Sequence, residues 1–237
     1  MKNPFERWHP KIALRYLPIV DEIKKSGLHK PQILEVGSGS LGIAPYLKLP
    51  LTGVDIKFEG PKFYLLNQVI GKATELPFAD KSFDFVVSTD MLEHVPVQDR
   101  QKVISEILRC TRIEAFIAVP CGEKSTLQDK QLDKDYQRVF GMPYKSMQDH
   151  IRNGLPGKSW VNDTIEQEAK RLNKKVEIKI HANLNLTLRR FLMWGWITKN
   201  PIVDFIFRKV FLLFIPILKH MNQEPTYRQI FFVKMEY

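Results

Sequence analysis

The stretch ILEVGSGSLG (residues 33–42) joins a short apolar run directly to a glycine-rich turn. Gly37, Gly39 and Gly42 have the spacing GxGxxG, in which the first glycine permits a tight turn and the second lets the backbone approach a ligand closely. A strand that runs into such a turn is typical of nucleotide-binding folds. The stretch therefore predicts a nucleotide site at the end of the first strand of an α/β protein.

The rest of the chain indicates a parallel, doubly wound sheet, because apolar runs alternate with helical patterns. The patterns predict strands at residues 32–36, 51–56, 68–73, 83–89, 114–120, 174–186 and 227–235. They predict helices at residues 10–26 and 98–111 and within 142–157 and 161–173. We expect Pro18 to kink or divide the first helix and Asp163 to cap the last. Ligands of such a sheet bind at the carboxyl ends of its strands.

Two acidic residues bear on which nucleotide is bound. Asp55 ends the second strand, where its carboxylate can accept hydrogen bonds from both hydroxyls of a ribose. NAD and S-adenosylmethionine both contain that ribose. Glu35 lies inside the first strand, two positions before Gly37, where it would repel a pyrophosphate but tolerate a ligand that carries an ammonium group. These residues favour S-adenosylmethionine, with NAD as the alternative.

Residues 71–95, GKATELPFADKSFDFVVSTDMLEHV, and the motif LEVGSGSLG resemble the class I S-adenosylmethionine-dependent methyltransferases, in particular their type 11 group. The resemblance is specific over residues 32–120 and architectural over 174–237. It implies a single methyltransferase domain over residues 1–237, with an N-terminal helical segment at 1–30. It also implies a Rossmann-like, mostly parallel seven-stranded sheet whose last strand is antiparallel. The alternative to an enzyme is a binding protein that keeps the fold without turnover.

The resemblance assigns cofactor-binding roles to residues at the strand ends. Asp55 would hold the ribose hydroxyls, and Asp90 would lie beside the sulfonium. The family often has an aspartate where this chain has Lys72, whose ammonium group cannot accept a hydrogen bond from the adenine amino group. The residues implied to line the methionine and ribose portions are Glu35, Gly37, Ser38 and Gly39, and those implied to contact adenine are Ile56, Ala73 and Thr74.

His94 and Asp90 are the predicted catalytic residues, with His94 as a general base because imidazole exchanges protons near neutral pH. The alternative is that His94 only caps or packs the turn after the fourth strand. The other histidines, His150 among them, are isolated in sequence and are predicted to be surface or core residues.

A divalent cation is a further alternative at this place. Some quinone-pathway O-methyltransferases of the family hold one with two acidic residues and the histidine, and Asp90, Glu93 and His94 have a similar arrangement. The sequence analysis predicts catalysis without a metal. Cys110 and Cys121 have no metal-ligand spacing and fit a reduced, cytoplasmic protein.

Residues 187–222 form an apolar, basic helical insertion between the last two strands. Residues 202–218 are almost wholly apolar, but this run is shorter than the roughly 20 residues of a spanning helix and contains Asp204, Arg208 and Lys209. We expect residues 188–220 to lie in the plane of an anionic membrane surface. The alternatives are packing on the protein's own sheet, a substrate lid or a dimer face.

The basic character lies in the C-terminal part of the chain. Residues 150–237 hold fifteen of the 36 Lys and Arg but only seven of the 26 Asp and Glu, within a net charge of +10. This suggests an anionic partner there, and the alternative is a solvated basic face. The sequence MKNPFERWHP lacks the apolar core of a secretory signal, so we expect a cytoplasmic protein, peripheral on the inner membrane face. A nucleic-acid partner is disfavoured because the chain has no N-P-P-Y or D-P-P-Y motif. The expected acceptor is small or lipid-linked.

Overall fold

One sheet contains seven strands in the order β3-β2-β1-β4-β5-β7-β6. The computed structural model describes residues 8–236. The strands are β1 Ile33–Val36, β2 Leu51–Asp55, β3 Leu66–Ile70, β4 Phe83–Thr89, β5 Thr111–Pro120, β6 Lys175–Asn185 and β7 Thr226–Glu236. β1 to β5 pair in parallel, and β7 is antiparallel to both β5 and β6. The mostly parallel sheet with an antiparallel last strand, predicted from the sequence, is confirmed.

Helices cover both faces of this sheet. The α-helices are α1 Pro10–Lys25, α2 Ala44–Leu47, α3 Arg100–Cys110, α4 Glu123–Phe140, α5 Lys145–Asn153, α6 Lys158–Arg171, α7 Leu186–Trp196, α8 Pro201–Arg208 and α9 Ile215–Leu218. Short 3₁₀ turns lie at Leu92–His94, Val97–Asp99 and Val210–Phe214. Apolar residues of α1 and α7 to α9 form the core on one face of the sheet, and those of α3 and α6 form it on the other.

Several elements differ from the sequence-based expectation. Pro18 lies inside α1 without dividing it, because the helix buries seven side chains against the sheet and its neighbours. α6 begins at Lys158 after Gly157, so Asp163 lies inside the helix and does not cap it. α4 was not predicted, because its 18 residues are mostly charged or amide-bearing and lack a continuous apolar stripe. Residues 1–7 of the predicted N-terminal segment lie outside the described residues.

The insertion between β6 and β7 forms α7, α8, a 3₁₀ turn and α9. One side of these segments joins the core through Leu188, Leu192, Phe207, Leu212 and Ile215. Gly195 of α7 makes close packing possible, since a Cβ there would lie 2.1 Å from the Phe207 ring of α8. This side of the insertion therefore packs on the protein's own sheet, which is one of the alternatives given by the sequence. Within residues 8–236, no helix is both long and apolar enough to cross a bilayer.

The other side of the insertion is exposed and strongly apolar. We call it the apolar patch, and its members are Phe191, Trp194, Ile202, Phe205, Ile206, Leu213, Phe214 and Ile217. Rings connect it to the core below, because Phe191 contacts both Phe207 and Phe211, and Phe211 contacts Phe214. Three exposed cations, Arg190, Lys199 and Lys209, belong to the same insertion. The apolar patch is thus an exposed, aromatic-rich surface that packs on the core and belongs to the same insertion as three exposed cations.

Candidate active site

A cleft of about 390 Å³ opens at the carboxyl ends of the central strands. We call it the strand-end cleft. The residues predicted from sequence that line it are Gly37, Asp55, Ile56, Ala73, Thr74, Asp90 and His94. Those that the sequence analysis did not identify are Val54, Gly71, Met91, Val95, Pro96, Asp99 and Val103. Most of the second group lies on the 3₁₀ turns and helix after β4, which give no periodic sequence signal.

The glycine turn after β1 needs its glycines for geometric reasons. Gly37 has a φ of 77° and donates its N–H to the Val54 carbonyl at 2.8 Å. A Cβ at Gly37 would lie 2.3 Å from Cγ of Met91, which packs over the turn. Gly39, with a φ of 54°, donates its N–H to Oδ2 of Asp55 at 2.9 Å. The turn and the end of β2 are therefore held together as one unit.

Asp55 forms no ion pair among the described residues. Its Oδ2 accepts from Gly39, whereas Oδ1 has only a long contact of 3.4 Å from the Lys57 N–H. The carboxylate is therefore able to accept further hydrogen bonds from a ligand in the cleft. The next residue, Ile56, presents an apolar side chain that is 69% exposed at the cleft wall. A polar acceptor beside an exposed apolar surface suits a nucleoside.

Glu35 does not have the place that the sequence analysis gave it. Its side chain is 1% exposed and does not line the strand-end cleft. Oε1 accepts from the Tyr16 hydroxyl at 2.8 Å, and Oε2 accepts from the Ile43 N–H at 2.7 Å. Burial raises the pKa of this carboxyl to about 7. Glu35 thus connects α1 to the end of the glycine turn. In this geometry its carboxylate does not contact a ligand in the cleft directly.

Ser38 and Lys72 differ in their position relative to the strand-end cleft. Ser38 lines a neighbouring depression of about 330 Å³ rather than the strand-end cleft, and its hydroxyl donates to the Gly39 carbonyl. Lys72 lines the cleft beside Ala73 and Thr74, as the sequence placed it. Asp99 lines the same cleft and provides a carboxylate acceptor, which Lys72 cannot be.

A second, smaller cavity of about 110 Å³ adjoins the cleft, and we call it the polar cavity. Asp90 and His94 line both spaces, so they mark the junction between them. The cavity is built mainly by α1, α5, α7, β7 and the turn after β4. Its charged and polar lining residues are Lys11, Arg15, Asp90, Glu93, His94, Tyr144, Ser146, His150, Arg189, Tyr227 and Arg228.

Asp90 is saturated by two arginines. Arg228 of β7 binds both carboxylate oxygens, and Arg15 of α1 adds a hydrogen bond of 3.0 Å to Oδ2. Against the effect of burial, the two guanidinium groups hold the pKa of this carboxyl well below its usual range. A carboxylate that is so tightly paired is a poor proton acceptor. The catalytic role of Asp90 stays a prediction, and the geometry favours a role in which Asp90 positions Arg15 and Arg228 at the junction.

His94 faces a second histidine that the sequence analysis treated as isolated. Nε2 of His94 lies 3.4 Å from Nε2 of His150, which is carried by α5. Nδ1 of His94 lies 3.1 Å from Asp149, and Nδ1 of His150 lies 2.8 Å from Asp129. Burial, together with the neighbouring His150, lowers the pKa of His94. His150 is buried and hydrogen-bonded to Asp129, which agrees with the prediction of a core residue, and the fold also brings α5 against the turn after β4.

Glu93 completes this cluster. Its side chain is fully buried, and neither oxygen accepts a hydrogen bond from another residue in the described part of the chain. Its Oε1 lies 3.7 Å from Nε2 of His150. Burial, followed by the nearby Asp90, raises the pKa of Glu93 to about 8. Behind the cluster, Asp129 binds Arg189 and the Tyr227 hydroxyl as well as His150, which fixes all three.

Lys11 supplies a buried amine on the opposite wall of the polar cavity. Its Nζ lies 4.5 Å from the centre of the Trp196 ring. Burial, together with repulsion from Arg15 and Arg189, lowers its pKa to about 7. The folded protein therefore releases this proton near neutral pH, whereas the unfolded chain keeps it up to a pH of about 10.

Lys11→Met is expected to remove a pH dependence of stability. Between about pH 7.5 and 9.5 the unfolded state binds more protons at this residue than the folded state, so the stability of the wild type rises with pH relative to the variant. We expect the difference in the free energy of unfolding to grow by about 1 kcal/mol per pH unit. Urea titrations across this range measure it, and a difference that stays flat would show that Lys11 is exposed to water.

A third space lies between α4 and α7. This apolar groove of about 500 Å³ shares Arg189 and Met193 with the polar cavity and reaches Trp194 of the apolar patch. Half of its wall residues are apolar, namely Leu127, Leu132, Val139, Met193, Trp194 and Ile197, and the other half are polar or charged, namely Gln128, Gln131, Asp135, Arg138, Arg189 and Arg190. The cleft, the polar cavity, the groove and the patch are therefore adjacent in that order.

Comparison with known proteins finds a family match over part of the chain. Residues 34–119, from β1 to the end of β5, match the family described as a methyltransferase domain. This match confirms the resemblance to methyltransferases that the sequence predicts for residues 32–120.

Individual proteins of the same fold cover almost the whole chain. A Thermotoga maritima methyltransferase, described as a possible histamine N-methyltransferase, matches with a TM-score of 0.52 and 15% identity over 98% of this chain and 95% of its own. The magnesium protoporphyrin IX methyltransferase of Synechocystis PCC 6803, solved with bound S-adenosylhomocysteine, matches with a TM-score of 0.54 and 11% identity over 94% and 83%. At these identities the likeness shows the fold.

A curated relative is similar in sequence over a shorter part. An uncharacterized protein of Methanocaldococcus jannaschii is 24% identical over 137 residues, which are 56% of this chain. The match spans 65% of that protein, a little less than two thirds of its length. None of these proteins assigns an acceptor to this chain.

Proposed function

We propose that this methyltransferase binds S-adenosylmethionine in the strand-end cleft and methylates an amphiphilic, lipid-linked acceptor whose polar head enters the polar cavity. The observation that carries the proposal is that, within residues 8–236, only Asp90 and His94 line both spaces, so a ligand in each would meet at that junction. The membrane surface is the proposed source of the acceptor. A small soluble acceptor is the second candidate, because the polar cavity itself is small.

The residues of the cleft fit the cofactor. Asp55 has an oxygen available for ribose hydroxyls, and Ile56 offers an exposed apolar side chain for the adenine. Gly37 and Gly39 keep the turn free of side chains. A volume of about 390 Å³ lies within the usual range for ligand sites. Support from the fold is that the Synechocystis relative was solved with S-adenosylhomocysteine.

When bound, the cofactor supplies a methyl group on a sulfonium, which is already activated for in-line transfer. The chain's own residues then have two tasks, which are to align the acceptor and to exclude water. Arg15 and Arg228, fixed by Asp90, form a rigid polar wall at the junction. His94 lines both spaces and is available to interact with the acceptor's oxygen or nitrogen atom. No chemistry is required of Asp90 itself.

The apolar groove and the apolar patch favour a lipid-linked acceptor. The groove begins at Arg189 and Met193, where the polar cavity ends, and leads to Trp194. An acceptor with a polar head and an apolar tail could occupy both at once. Exposed Arg190, Lys199 and Lys209 beside the patch suit anionic head groups. These features together support contact with a membrane surface on the side where the acceptor would enter.

Thermal unfolding tests the cofactor part of this proposal. S-adenosylhomocysteine at saturating concentration is expected to raise the melting temperature by several degrees, and NAD is expected to leave it unchanged, because ligands that bind only the folded state stabilise it by mass action. Incubation with S-adenosylmethionine and lipid extracts, followed by mass spectrometry, tests turnover. Binding without any S-adenosylhomocysteine production would favour a protein that has kept the fold and lost catalysis.

A further inference from the structure

We infer that Glu93, His94 and His150 form a binding site for a divalent transition metal of the Zn²⁺ type, with an open coordination position toward the polar cavity. One possible ligand atom from each residue lies within 4.8 Å of the others. All three residues line the same cavity. The inference rests on the proposed function only for the role that the open position would have, since binding of the ion can be measured by itself.

The carboxylate of Glu93 is the first observation. A fully buried carboxylate normally accepts several hydrogen bonds, because leaving it without partners is costly. Among residues 8–236, no other residue donates a hydrogen bond to either oxygen of Glu93. The side chain therefore lacks the donors that a purely structural carboxylate would have. A bound cation would supply the missing partner.

The second observation is the orientation of the two imidazoles. Nδ1 of His94 faces the Asp149 carboxylate, and Nδ1 of His150 faces the Asp129 carboxylate. Since a carboxylate only accepts, each Nδ1 carries a proton, and a ring that is neutral then presents the lone pair of its Nε2 toward the other ring. These two nitrogens lie 3.4 Å apart and face each other. Two lone pairs at that distance repel unless a proton or a cation lies between them.

The carboxylates of Asp149 and Asp129, which face the two Nδ1 atoms, also support a metal site. Metal-bound histidines usually donate their second ring N–H to a carboxylate or carbonyl, which fixes the tautomer and the ring orientation. Here both histidines have such a partner. Asp129 is itself held by Arg189 and the Tyr227 hydroxyl, so the His150 ring has little freedom to turn away.

Distances and donor types point to the class of metal. Two nitrogen ligands at about 2.0–2.1 Å from a tetrahedral ion lie roughly 3.3–3.4 Å apart, which matches the measured separation of the two Nε2 atoms. Two imidazoles and one carboxylate suit Zn²⁺ and related first-row ions better than Mg²⁺ or Ca²⁺. With three protein ligands, the fourth position is left to water or to an acceptor atom, as in catalytic zinc sites.

The ligand set differs from the one that the sequence suggested. Asp90 is excluded because both of its oxygens are bound by Arg15 and Arg228. His150 takes its place, and it comes from α5, outside the segment that matches the methyltransferase family. In this arrangement His94 acts as a ligand and not as a free base. An acceptor hydroxyl at the open position would be made more acidic by the ion.

Titration of chelator-treated protein with Zn²⁺, followed by calorimetry, tests the site, and Co²⁺ absorption in the visible range reports tetrahedral coordination. We expect one ion per chain and a raised melting temperature. Glu93→Gln and His150→Ala are each expected to weaken binding at least 100-fold. Asp149→Asn, at a half-exposed position, is expected to weaken it about 10-fold without loss of folding. His29→Ala, a remote exposed histidine, is the matched control and should bind like the wild type.

The outcomes separate this site from the proposed function. The absence of saturable Zn²⁺ binding in the folded wild type would overturn the inference, and so would binding that persists in both Glu93→Gln and His150→Ala. Stabilisation by S-adenosylhomocysteine is measured in the same preparations. If it persists while metal binding fails, the metal site is wrong and the methyltransferase proposal stands. If S-adenosylhomocysteine does not stabilise the wild type while Zn²⁺ binds, the methyltransferase proposal is wrong and the metal site stands.

Discussion

Asp55→Ala is expected to abolish the stabilisation by S-adenosylhomocysteine and to weaken its binding at least 100-fold. The variant removes the acceptor for both ribose hydroxyls, and hydrogen bonds to a charged group contribute about 1.5–3 kcal/mol each. It also removes the bond from Gly39 N–H to Oδ2, so the glycine turn loses its fixed relation to β2. Calorimetric titration of S-adenosylhomocysteine into both proteins measures the change in the dissociation constant.

A matched variant separates ligand binding from general damage. Asp163→Ala removes an aspartate from the exposed face of α6, far from the cleft, and should bind S-adenosylhomocysteine like the wild type. Circular dichroism of each ligand-free variant checks the fold. If Asp55→Ala is folded and still binds with wild-type affinity, the adenosine is not held at the ends of β1 and β2, and the cofactor site proposed here is wrong.

The double variant Trp194→Ser, Phe205→Ser is expected to reduce binding to anionic vesicles at least 100-fold. Both side chains belong to the apolar patch and are 66% and 60% exposed. Burial of each in a lipid interface is worth about 2 kcal/mol, so losing both corresponds to more than two orders of magnitude in the partition constant. Co-sedimentation with phosphatidylserine-containing vesicles measures this constant.

The control for this experiment removes equally exposed apolar groups from elsewhere. Leu28→Ser, Ile70→Ser changes residues that are 43% and 74% exposed and lie outside the insertion, and it should sediment like the wild type. Salt is expected to weaken binding without abolishing it, since cations and apolar groups both contribute. If the wild type stays in the supernatant at low salt, or if both double variants behave alike, the patch does not contact membranes. Retention by tRNA alone would favour a nucleic-acid partner.

Much of the fold could be predicted from the sequence because parallel strands covered on both faces are continuous apolar runs. β4 is the clearest case, since all seven of its residues are buried and the predicted bounds match the observed ones. α4 shows the limit. Its buried residues include Ser125, Asp129 and Asp133, whose burial is stabilised by hydrogen bonds to distant parts of the chain. A pattern of apolar residues cannot reveal such a helix.

Part of the candidate site could likewise be predicted from the sequence, and part of it could not. Gly37, Asp55, Ala73 and Thr74 could be located because they end or follow strands within one continuous motif, and they line the strand-end cleft. The polar cavity could not be predicted, because its parts come from α1, α5, α7 and β7 and meet only in three dimensions. Glu35 shows a third situation: the sequence marks the position correctly, but Tyr16 and Ile43 occupy its oxygens.

The ion pairs on Asp90 connect the two ends of the described chain. Arg15 belongs to the first helix and Arg228 to the final strand, whereas the segment that matches the methyltransferase family stops at residue 119. That segment therefore carries the aspartate without either of its counter-ions. A fragment cut to the family boundaries would keep the glycine turn and lose the wall against which transfer is proposed to occur. Under the proposed function, the shared segment would bind the methyl donor, and the flanking sequence would select the acceptor.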